Sequence, residues 1–441
     1  MASEVLLLEL NEVNFDWVQH YFNWGRLPAL ARIVHEHGVF ETASENRYED
    51  LEPWIHWITA HTGLTLGEHG VFRLGDIAER EIAQIWEALE QEGLTVGAVS
   101  PMNAKNRCRN AAFFVPDPWT PSELTARPLL KHLYTAVAQV VNDNAQSKIT
   151  ARSAAWLLAG AAKYARASNY STYLKLAGAA RTKPWSKAMF LDLLLTDIFI
   201  RETKAARPNF ASLFLNAGAH IQHHYMFNSA AYTGGHKNPE WYAASDEDPV
   251  LEVYQLYDRI VGQIQHAFPD ARLMIATGLH QEPHPEVTFY WRLKEHADFL
   301  RKLEVPFASV EPRMSRDFVV FCNSAEDAAH AQRILESASD ENGIPMFEVD
   351  NRGSDLFIML TYPHDVSDDF TFQAGNKSFT GFKSDIAFVA IKNGQHHGIG
   401  YFIDTGAAPG GLPGQFPLAE IPSRICEALG VQWTPKAAAA E

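Results

Sequence analysis

The stretch IAQIWEALEQEGLTVGAVS at 82–100 decides the fold class of this chain. Apolar residues recur at helical spacing through 82–92, and Gly93 suits the C-terminal cap of a helix. The apolar run 94–100 then has the length of a buried strand. The stretch therefore predicts one helix followed by one strand, which is the repeating unit of an α/β sheet.

Similar units lie on both sides of this stretch. Toward the N-terminus, the apolar run VLLLEL at 5–10 precedes helical patterns. The same order recurs toward the C-terminus, in NFASLFLN at 209–216, a helical pattern at 248–268 and ARLMIATG at 271–278. A last apolar run, GIGYFIDTG at 398–406, predicts a strand that returns to the core. Repeated units of this kind predict a doubly wound, mostly parallel sheet covered by helices.

Two segments interrupt the α/β pattern. Nearly continuous helical periodicity at 122–206 predicts a helical insertion, and a βαββ pattern at 305–393 predicts a small α+β cap. The core is then formed by 1–121, 207–304 and 394–435. The final residues 436–441 have no core-forming pattern and are expected to be a disordered tail.

Charge and composition exclude some classes of function. The 441 residues include 37 basic and 53 acidic ones, for a formal charge of −16, and no basic patch is segregated from the rest. Such a chain repels a polyphosphate backbone, so we expect no nucleic-acid partner. A small anionic substrate held by local donors remains compatible with this charge.

Cysteines and apolar runs predict a cytoplasmic protein. The three cysteines (Cys108, Cys322 and Cys426) have no paired spacing, so neither disulfides nor a thiolate metal site are indicated. The N-terminal apolar run lacks a basic leader, and the longest apolar stretch, at 188–200, contains Asp192 and Asp197. We expect no transmembrane segment.

Polar residues follow the predicted strands where ligands collect in an open parallel sheet. All five such points carry a histidine or an acid, which indicates a functional site. The five points are Asn11 with Glu12, the segment before 54–63, Asn216 to His224, Gly278 to His284, and Gln395 to His397.

Several of these segments resemble the alkaline phosphatase superfamily, in particular its type I phosphodiesterase and nucleotide pyrophosphatase branch. WITAHTG at 57–63 with EHGVF at 68–72 is similar to the family's nucleophile helix. LELNEVNFDWV at 8–18 is similar to the first strand, NAGAH at 216–220 to a metal-binding motif, and QHHGIGYFIDTG at 395–406 to the terminal histidine loop. The resemblance implies an alkaline phosphatase type of fold.

The chain departs from this family at residues that carry its chemistry. Asn11 and Asn216 stand where the family has metal-binding aspartates, and the nucleophile position falls at Pro53 or Leu51, which have no hydroxyl. The family's adjacent Asp-His pair falls at Gly278 and Leu279, or one residue later, where His280 remains. One of the family's two metal sites is thus nearly absent.

The resemblance leaves one metal set, formed by Asn216, His220 and His396. Two imidazoles and an amide oxygen can hold one divalent ion of the zinc, manganese or iron type with open positions for water. Such an ion can make a water the nucleophile, which removes the need for a side-chain hydroxyl.

A general base and substrate ligands complete the predicted site. Glu9 and His56 are further candidates for the base, but the residues that we predict to be catalytic are Glu12, Glu52 and His280. Those predicted to bind substrate are Asn11, His56, His224 and His397.

Several of these residues also have plain structural interpretations. Asn11 suits a turn or a helix cap, and His223 and His224 suit surface or packing roles. Trp54 and Trp57 form an aromatic stripe typical of a core, and His69 belongs to a turn.

The favoured function is hydrolysis or transfer at a phosphate, phosphonate or sulfate ester, with at most one divalent metal. The alternative is a non-catalytic protein of the same fold that binds a ligand or a protein through the old cleft or the helical insertion. A third possibility is different chemistry in the same cleft, with Glu or His as acid and base. The helical insertion could also serve a protein partner or a homo-oligomer.

Overall fold

The structure is a computed structural model, and it describes residues 4–142, 155, 159–160, 162–313, 316–407 and 414–434. The chain forms two compact units. The first comprises Met1–Thr233, Ala243–Pro283 and Gly394–Glu441, and the second comprises Gly234–Tyr242 and His284–Asn393.

An eight-stranded sheet forms the centre of the first unit. Its spatial order is β16-β2-β15-β6-β1-β5-β3-β4. The five strands from β6 to β4 run parallel to their neighbours, whereas β15 runs antiparallel to both β6 and β2. The predicted α/β class with a mostly parallel sheet is therefore confirmed. The strands are β1 (Val5–Leu10), β2 (Phe40–Ala43), β3 (Val96–Val99), β4 (Phe113–Val115), β5 (Phe210–Leu215), β6 (Arg272–Ala276), β15 (Ile399–Asp404) and β16 (Gln415–Pro417).

Helices cover this sheet in two groups, as a doubly wound fold requires. In one group the helices pack on β5 or on one another. It consists of α1 (Phe15–Asn23), α2 (Pro28–His37), α8 (Ser186–Ala206), α9 (Ala217–Tyr225) and α10 (Pro249–Ala267). The other group shares a core with alternate residues of β1, namely Val5 and Leu7. It consists of α3 (Pro53–Thr62), α5 (Ile85–Gln91) and α14 (Ile421–Leu429), while the short α4 (Leu66–His69) packs on α3.

The central strand β1 shows why the sequence folds this way. All six residues of VLLLEL are buried, as expected for a strand covered on both faces. Glu9 is the only charged residue among them, and its Oε1 lies 3.1 Å from Nε2 of the buried His61 on α3. A buried carboxylate is tolerated there because an imidazole accompanies it.

Helix ends follow local signals. Pro53 occupies the first turn of α3, and the helix ends at Gly63, which has a left-handed backbone with φ of 68°. Helix α5 begins only at Ile85, later than the apolar periodicity suggests, because Gln84 and Glu87 form a capping box there.

The predicted helical insertion at 122–206 contains three helices in the described part of the chain. These are α6 (Pro128–Asn142), α7 (Tyr170–Ala179) and α8. The part of this insertion at 143–161 lies largely outside the described residues, and the predicted tail at 436–441 lies wholly outside them. No helix of the described residues combines the length and apolarity needed to cross a membrane.

The second unit contains a four-stranded antiparallel sheet with the order β10-β11-β9-β8. The helix α12 (Ala325–Glu336) packs on this sheet, so that β9, α12, β10 and β11 follow the predicted βαββ order. Its strands are β8 (Ser309–Pro312), β9 (Asp317–Phe321), β10 (Phe347–Asn351), β11 (Asp355–Leu360), β12 (Thr371–Ala374) and β13 (Lys377–Thr380), and its other helices are α11 (His296–Lys302) and α13 (Phe382–Asp385). The paired strands β7 (His280–Leu293) and β14 (Ile386–His397) begin and end, respectively, in the first unit.

Candidate metal centre

Three adjacent strands bring the predicted site residues to one edge of the sheet. β1 lies between β5 and β6 and is parallel to both. Asn11 and Glu12 follow β1, Asn216 follows β5, and Gly278 follows β6 shortly after its last residue. Because the carboxyl ends of parallel neighbours meet at the same edge, these residues lie together there.

The backbone at Glu12 turns its side chain into the site. Glu12 has a left-handed backbone with φ of 60°, which is uncommon for a residue with a side chain. Its N–H donates to the Thr277 carbonyl at 3.1 Å, and its carbonyl accepts from Gln222 Nε2 at 2.8 Å. These two hydrogen bonds hold the backbone of Glu12 in this uncommon conformation.

Three side-chain atoms converge in front of this turn, and we call them the ligand triangle. They are Glu12 Oε2, His223 Nε2 and His396 Nε2. Glu12 Oε2 lies 3.1 Å from each nitrogen, and the two nitrogens are 3.2 Å apart. A tetrahedral ion with bonds of ~2.0 Å separates its ligands by ~3.3 Å. The ligand triangle therefore fits one ion of the zinc type, with a fourth position left for water or substrate.

Charge within the ligand triangle is coupled. Burial alone would raise the pKa of Glu12, but the imidazoles of His396 and His223 outweigh burial and hold this pKa well below its usual range. Burial alone would lower the pKa of His396, whereas the carboxylates of Glu12 and Glu52 raise it above its usual value. An anionic Glu12 is the form that a metal ion needs.

Neighbouring amides orient the Glu12 carboxylate. Asn11 Nδ2 donates to Glu12 Oε1 at 3.0 Å, and Gln281 Nε2 donates to Glu12 Oε2. Gln281 Nε2 also donates to the Ala219 carbonyl at 3.0 Å. Such outer hydrogen bonds hold a metal ligand in its productive orientation.

On its other side, Asn11 meets a large side chain. Trp57 Nε1 donates to Asn11 Oδ1 at 2.7 Å, and Trp57 is fully buried. A Cβ added at Gly278 would lie 3.2 Å from Trp57 Cε2. The indole thus fills the space beside Asn11 and Gly278, and these residues form a packed contact. We call this region the filled side.

A second histidine and acid group lies at the paired ends of β7 and β14. Glu282 Oε1 is 3.8 Å from His280 Nε2 and 4.0 Å from His397 Nε2. His280 Nδ1 donates to the Ile399 carbonyl at 2.6 Å, so Nε2 is the nitrogen left for other contacts. His280 and His397, predicted from the sequence as catalytic and substrate-binding residues, are thus neighbours, with ring centroids 4.7 Å apart.

His56 is buried at the start of α3. Its Nδ1 donates to the Glu52 carbonyl at 3.0 Å, and Nε2 has no hydrogen-bond partner among the described residues. Burial lowers the pKa of His56 to about 4, against the smaller opposing effect of that backbone bond. His56 is therefore a neutral hydrogen-bond acceptor over most of the pH range.

The structure gathers some of the predicted residues and leaves others apart. Glu52 lies beside the ligand triangle, with Oε2 3.8 Å from His396 Nδ1. Asn216 Oδ1 accepts from Asn11 Nδ2 at 2.8 Å, so this amide faces Asn11. His220 is exposed and packs on the ring of His224, with centroids 4.9 Å apart, and it belongs to neither histidine and acid group.

The sequence favours a surface or packing role for His223 and predicts that Glu12 acts as a base. In the structure the side chains of both residues contact His396. The available signal for His223 was its position one helical turn beyond His220 on α9. At the predicted nucleophile position, Leu51 is buried and Pro53 begins α3.

Comparisons with known proteins find similarity in structure only. No family model and no curated protein matches the sequence. Phosphonoacetate hydrolase from Sinorhizobium meliloti, in complex with phosphonoformate, is similar at 12% identity and a TM-score of 0.48, covering 97% of this chain and 96% of that one. Murine ectonucleotide pyrophosphatase/phosphodiesterase 5, in complex with AMP, is similar at 10% identity and a TM-score of 0.45, covering 99% and 97%.

The human ectonucleotide pyrophosphatase/phosphodiesterase 5 is similar at 11% identity, a TM-score of 0.43, and the same coverage. At this identity the likeness concerns the fold and not the activity.

Proposed function

We propose that the protein is a hydrolase or transferase acting on a phosphate, phosphonate or sulfate ester, with one divalent ion held by Glu12, His223 and His396. The ligand triangle is the observation that supports this, because its three edges of 3.1, 3.1 and 3.2 Å are those of a tetrahedral site. Zinc, manganese and iron all accept imidazole and carboxylate ligands.

This ligand set carries a different charge from the set that the sequence predicts. A carboxylate from Glu12 replaces the amide of Asn216, so a divalent ion would leave the site with one net positive charge instead of two. Burial of that charge costs less with a carboxylate present, and the remaining positive charge suits a small anionic ester.

A bound ion would supply a polarising charge and a water of lowered pKa. The protein side of the reaction then falls to three groups. The carboxylate of Glu52, next to His396, is placed to accept a proton. His56 Nε2, buried and without a partner among the described residues, accepts a hydrogen bond from substrate or water. His280 and His397 remain candidates for proton transfer and substrate binding beside Glu282.

Metal analysis tests the ligand set directly. Protein purified without chelator should carry one divalent ion per chain by elemental mass spectrometry. His223→Ala and Glu12→Gln should each weaken zinc binding at least about a hundredfold, because each removes a ligand. His224→Ala, on the same helix, should keep the affinity. Wild-type protein without any ion, and without affinity for added zinc, manganese or iron, would overturn the proposal.

A substrate screen tests the reaction class. Chromogenic phosphodiesters, phosphomonoesters, phosphonate esters and sulfate esters should be tried with each of these metals added. We expect turnover of at least one ester class, lost in His223→Ala. Metal binding without turnover of any ester would remove the enzyme proposal and leave the metal site.

The second candidate is a non-catalytic protein that binds a ligand through the same cleft. It is favoured by the absence of a hydroxyl at Leu51 and Pro53, and by the indole of Trp57 on the filled side. Ligand-dependent stabilisation of the chain by phosphate, phosphonate or sulfate ions, without ester turnover, would support this candidate. The use of the helical insertion by a protein partner or a second copy stays a prediction, as does a cytoplasmic location.

A further inference from the structure

Helix α9 carries His223 to the ligand triangle, and its first turn is capped in an unusual way. Asn216 occupies the N-cap position, where asparagine ordinarily accepts from the following backbone N–H groups. Here the Asn216 side chain makes no cap bond, and it accepts instead from Asn11 Nδ2 at 2.8 Å. The Asn216 side chain therefore does not cap the helix, and it faces the candidate site instead.

Two buried side chains from other helices supply the missing cap. Asp192 on α8 accepts from Asn216 N at 3.3 Å and from Ala217 N at 2.8 Å. The Tyr257 hydroxyl on α10 accepts from Gly218 N at 2.7 Å and donates to Asp192 Oδ2 at 2.7 Å. Three successive backbone donors at the start of α9 are thus satisfied by two side chains remote in sequence.

Packing and charge both favour this arrangement. A Cβ added at Gly218 would lie 2.8 Å from Tyr257 Cε2 and 3.1 Å from Val13 Cγ2, so only glycine allows the ring this close. A carboxylate at a helix N-terminus also interacts favourably with the helix dipole. Asp192 and Tyr257 are both buried, which limits the number of positions that the start of α9 can take.

We propose that Asp192 and Tyr257 are positioning residues of the metal centre, which fix α9 so that His223 meets Glu12 and His396. Asp192 belongs to the helical insertion at 122–206, so the insertion has a role in building the site. This inference rests on the proposed metal site. Neither residue is a catalytic residue, because neither touches the ligand triangle.

Asp197 offers a matched control on the same helix. It too is buried and accepts a hydrogen bond from a tyrosine, since Tyr173 Oη donates to Asp197 Oδ2 at 2.9 Å. Its other donors are Arg166 N and Asn169 Nδ2, each at 2.8 Å, and they lie in the insertion itself. Asp197→Asn should therefore perturb the insertion without loosening α9.

The experiment compares Asp192→Asn with Asp197→Asn by cobalt titration of the full-length chain. Cobalt binds zinc-type sites and reports their geometry through its visible absorption. We expect Asp192→Asn to weaken cobalt affinity about 10- to 100-fold, as for loss of an outer ligand support, and to change the absorption spectrum. Asp197→Asn should stay within about threefold of wild type with an unchanged spectrum.

Equal affinity and spectrum in Asp192→Asn and wild type would overturn the inference, and so would an equal loss in both variants. Tyr257→Phe removes the acceptor for Gly218 N and serves as the second variant if Asp192→Asn does not fold. Its expected loss of affinity is in the same direction.

Hydrogen exchange separates failure of the inference from failure of the proposed function. Asp192→Asn should speed exchange of the amides at 216–218, whereas Asp197→Asn should speed it only at 166–179. Wild-type protein that binds no cobalt would overturn the proposed function, while the exchange at 216–218 would still decide whether Asp192 holds α9. Unchanged exchange there would overturn the positioning role.

Discussion

The two sides of Asn11 have opposite character. On one side its Nδ2 faces Glu12 and Asn216, next to three ligand atoms that converge on one point. On the other side its Oδ1 accepts from the Trp57 indole, and Gly278 packs against the same ring. One amide, with a donor end and an acceptor end, separates a polar site from a packed contact.

This difference rests on the two ends of the Asn11 amide. An aspartate at position 11 would be acceptor only and could not donate to Glu12. Asparagine instead supplies a donor to the Glu12 carboxylate and an acceptor for the Trp57 indole. Asn11, Glu12, Trp57 and Gly278 therefore form one mutually dependent set.

The largest effect is expected from removing the Trp57 side chain from the filled side. Trp57→Ala should lower the free energy of unfolding by about 3–5 kcal/mol, because it removes a fully buried aromatic side chain. Trp54→Ala, on the same helix but only partly buried, should cost less than half as much. Denaturant unfolding measures both. Equal losses, or uptake of a second zinc ion by Trp57→Ala, would contradict a purely packed region.

The helix that bears Trp57 also predicts a pH dependence. Beneath it, Val71 N donates to Nδ1 of the buried His69 at 3.0 Å, and Thr59 Oγ1 lies 3.3 Å from Nε2. Burial lowers the pKa of His69 from 6.5 to about 4. The folded state thus favours neutral His69, which adds stability above pH 6.5 that is lost as the pH falls through about 4.

Unfolding free energies at pH 7 and pH 4 test this expectation. The wild type should lose up to about 3 kcal/mol more than His69→Asn between these pH values, since the variant has no imidazole to protonate. Asparagine keeps an acceptor for Val71 N. Identical pH profiles would show that His69 does not couple folding to protonation.

Placing an aspartate at position 11 should harm the protein. Asn11→Asp removes both donor bonds of Nδ2 and places a second carboxylate against Glu12. We expect a loss of about 2 kcal/mol in unfolding free energy, from unpaired acceptors and like-charge repulsion. Zinc stoichiometry should stay at one ion per chain. Stabilisation, or a second bound ion, would contradict this account of Asn11.

The smallest expected effect is at Gly278. Gly278→Ala adds a methyl 3.2 Å from the indole at a backbone φ of 74°. Gly343→Ala has a similar φ of 80° with open space around its Cβ, so it measures the backbone cost alone. The Gly278 variant should lose about 1 kcal/mol more than the Gly343 variant. Equal losses of unfolding free energy in the two variants would show that the contact between position 278 and Trp57 does not limit the packing of the filled side.

The sequence indicates several of the residues that meet in the structure, but not the full set that forms the ligand triangle. Strand ends at Asn11 and Asn216 and the loop at His396 were all readable, because apolar runs and the residues after them are local features. The sequence predicts that Glu12 is catalytic, but not that it contacts His396. For His223 it favours a surface or packing role. His223 and His220 are neighbours on one helix, and only the position of that helix decides which of the two faces the site.

The sequence by itself determined the class of fold and the edge of the sheet at which polar residues gather, since both follow from the spacing of apolar residues along the chain. Only the tertiary structure decided that Glu12 and His223 join His396. The left-handed turn at Glu12 and the cap of α9 by Asp192 and Tyr257 set those directions. Such contacts join residues far apart in the chain, as Glu12 and His396 are, and no local pattern records them.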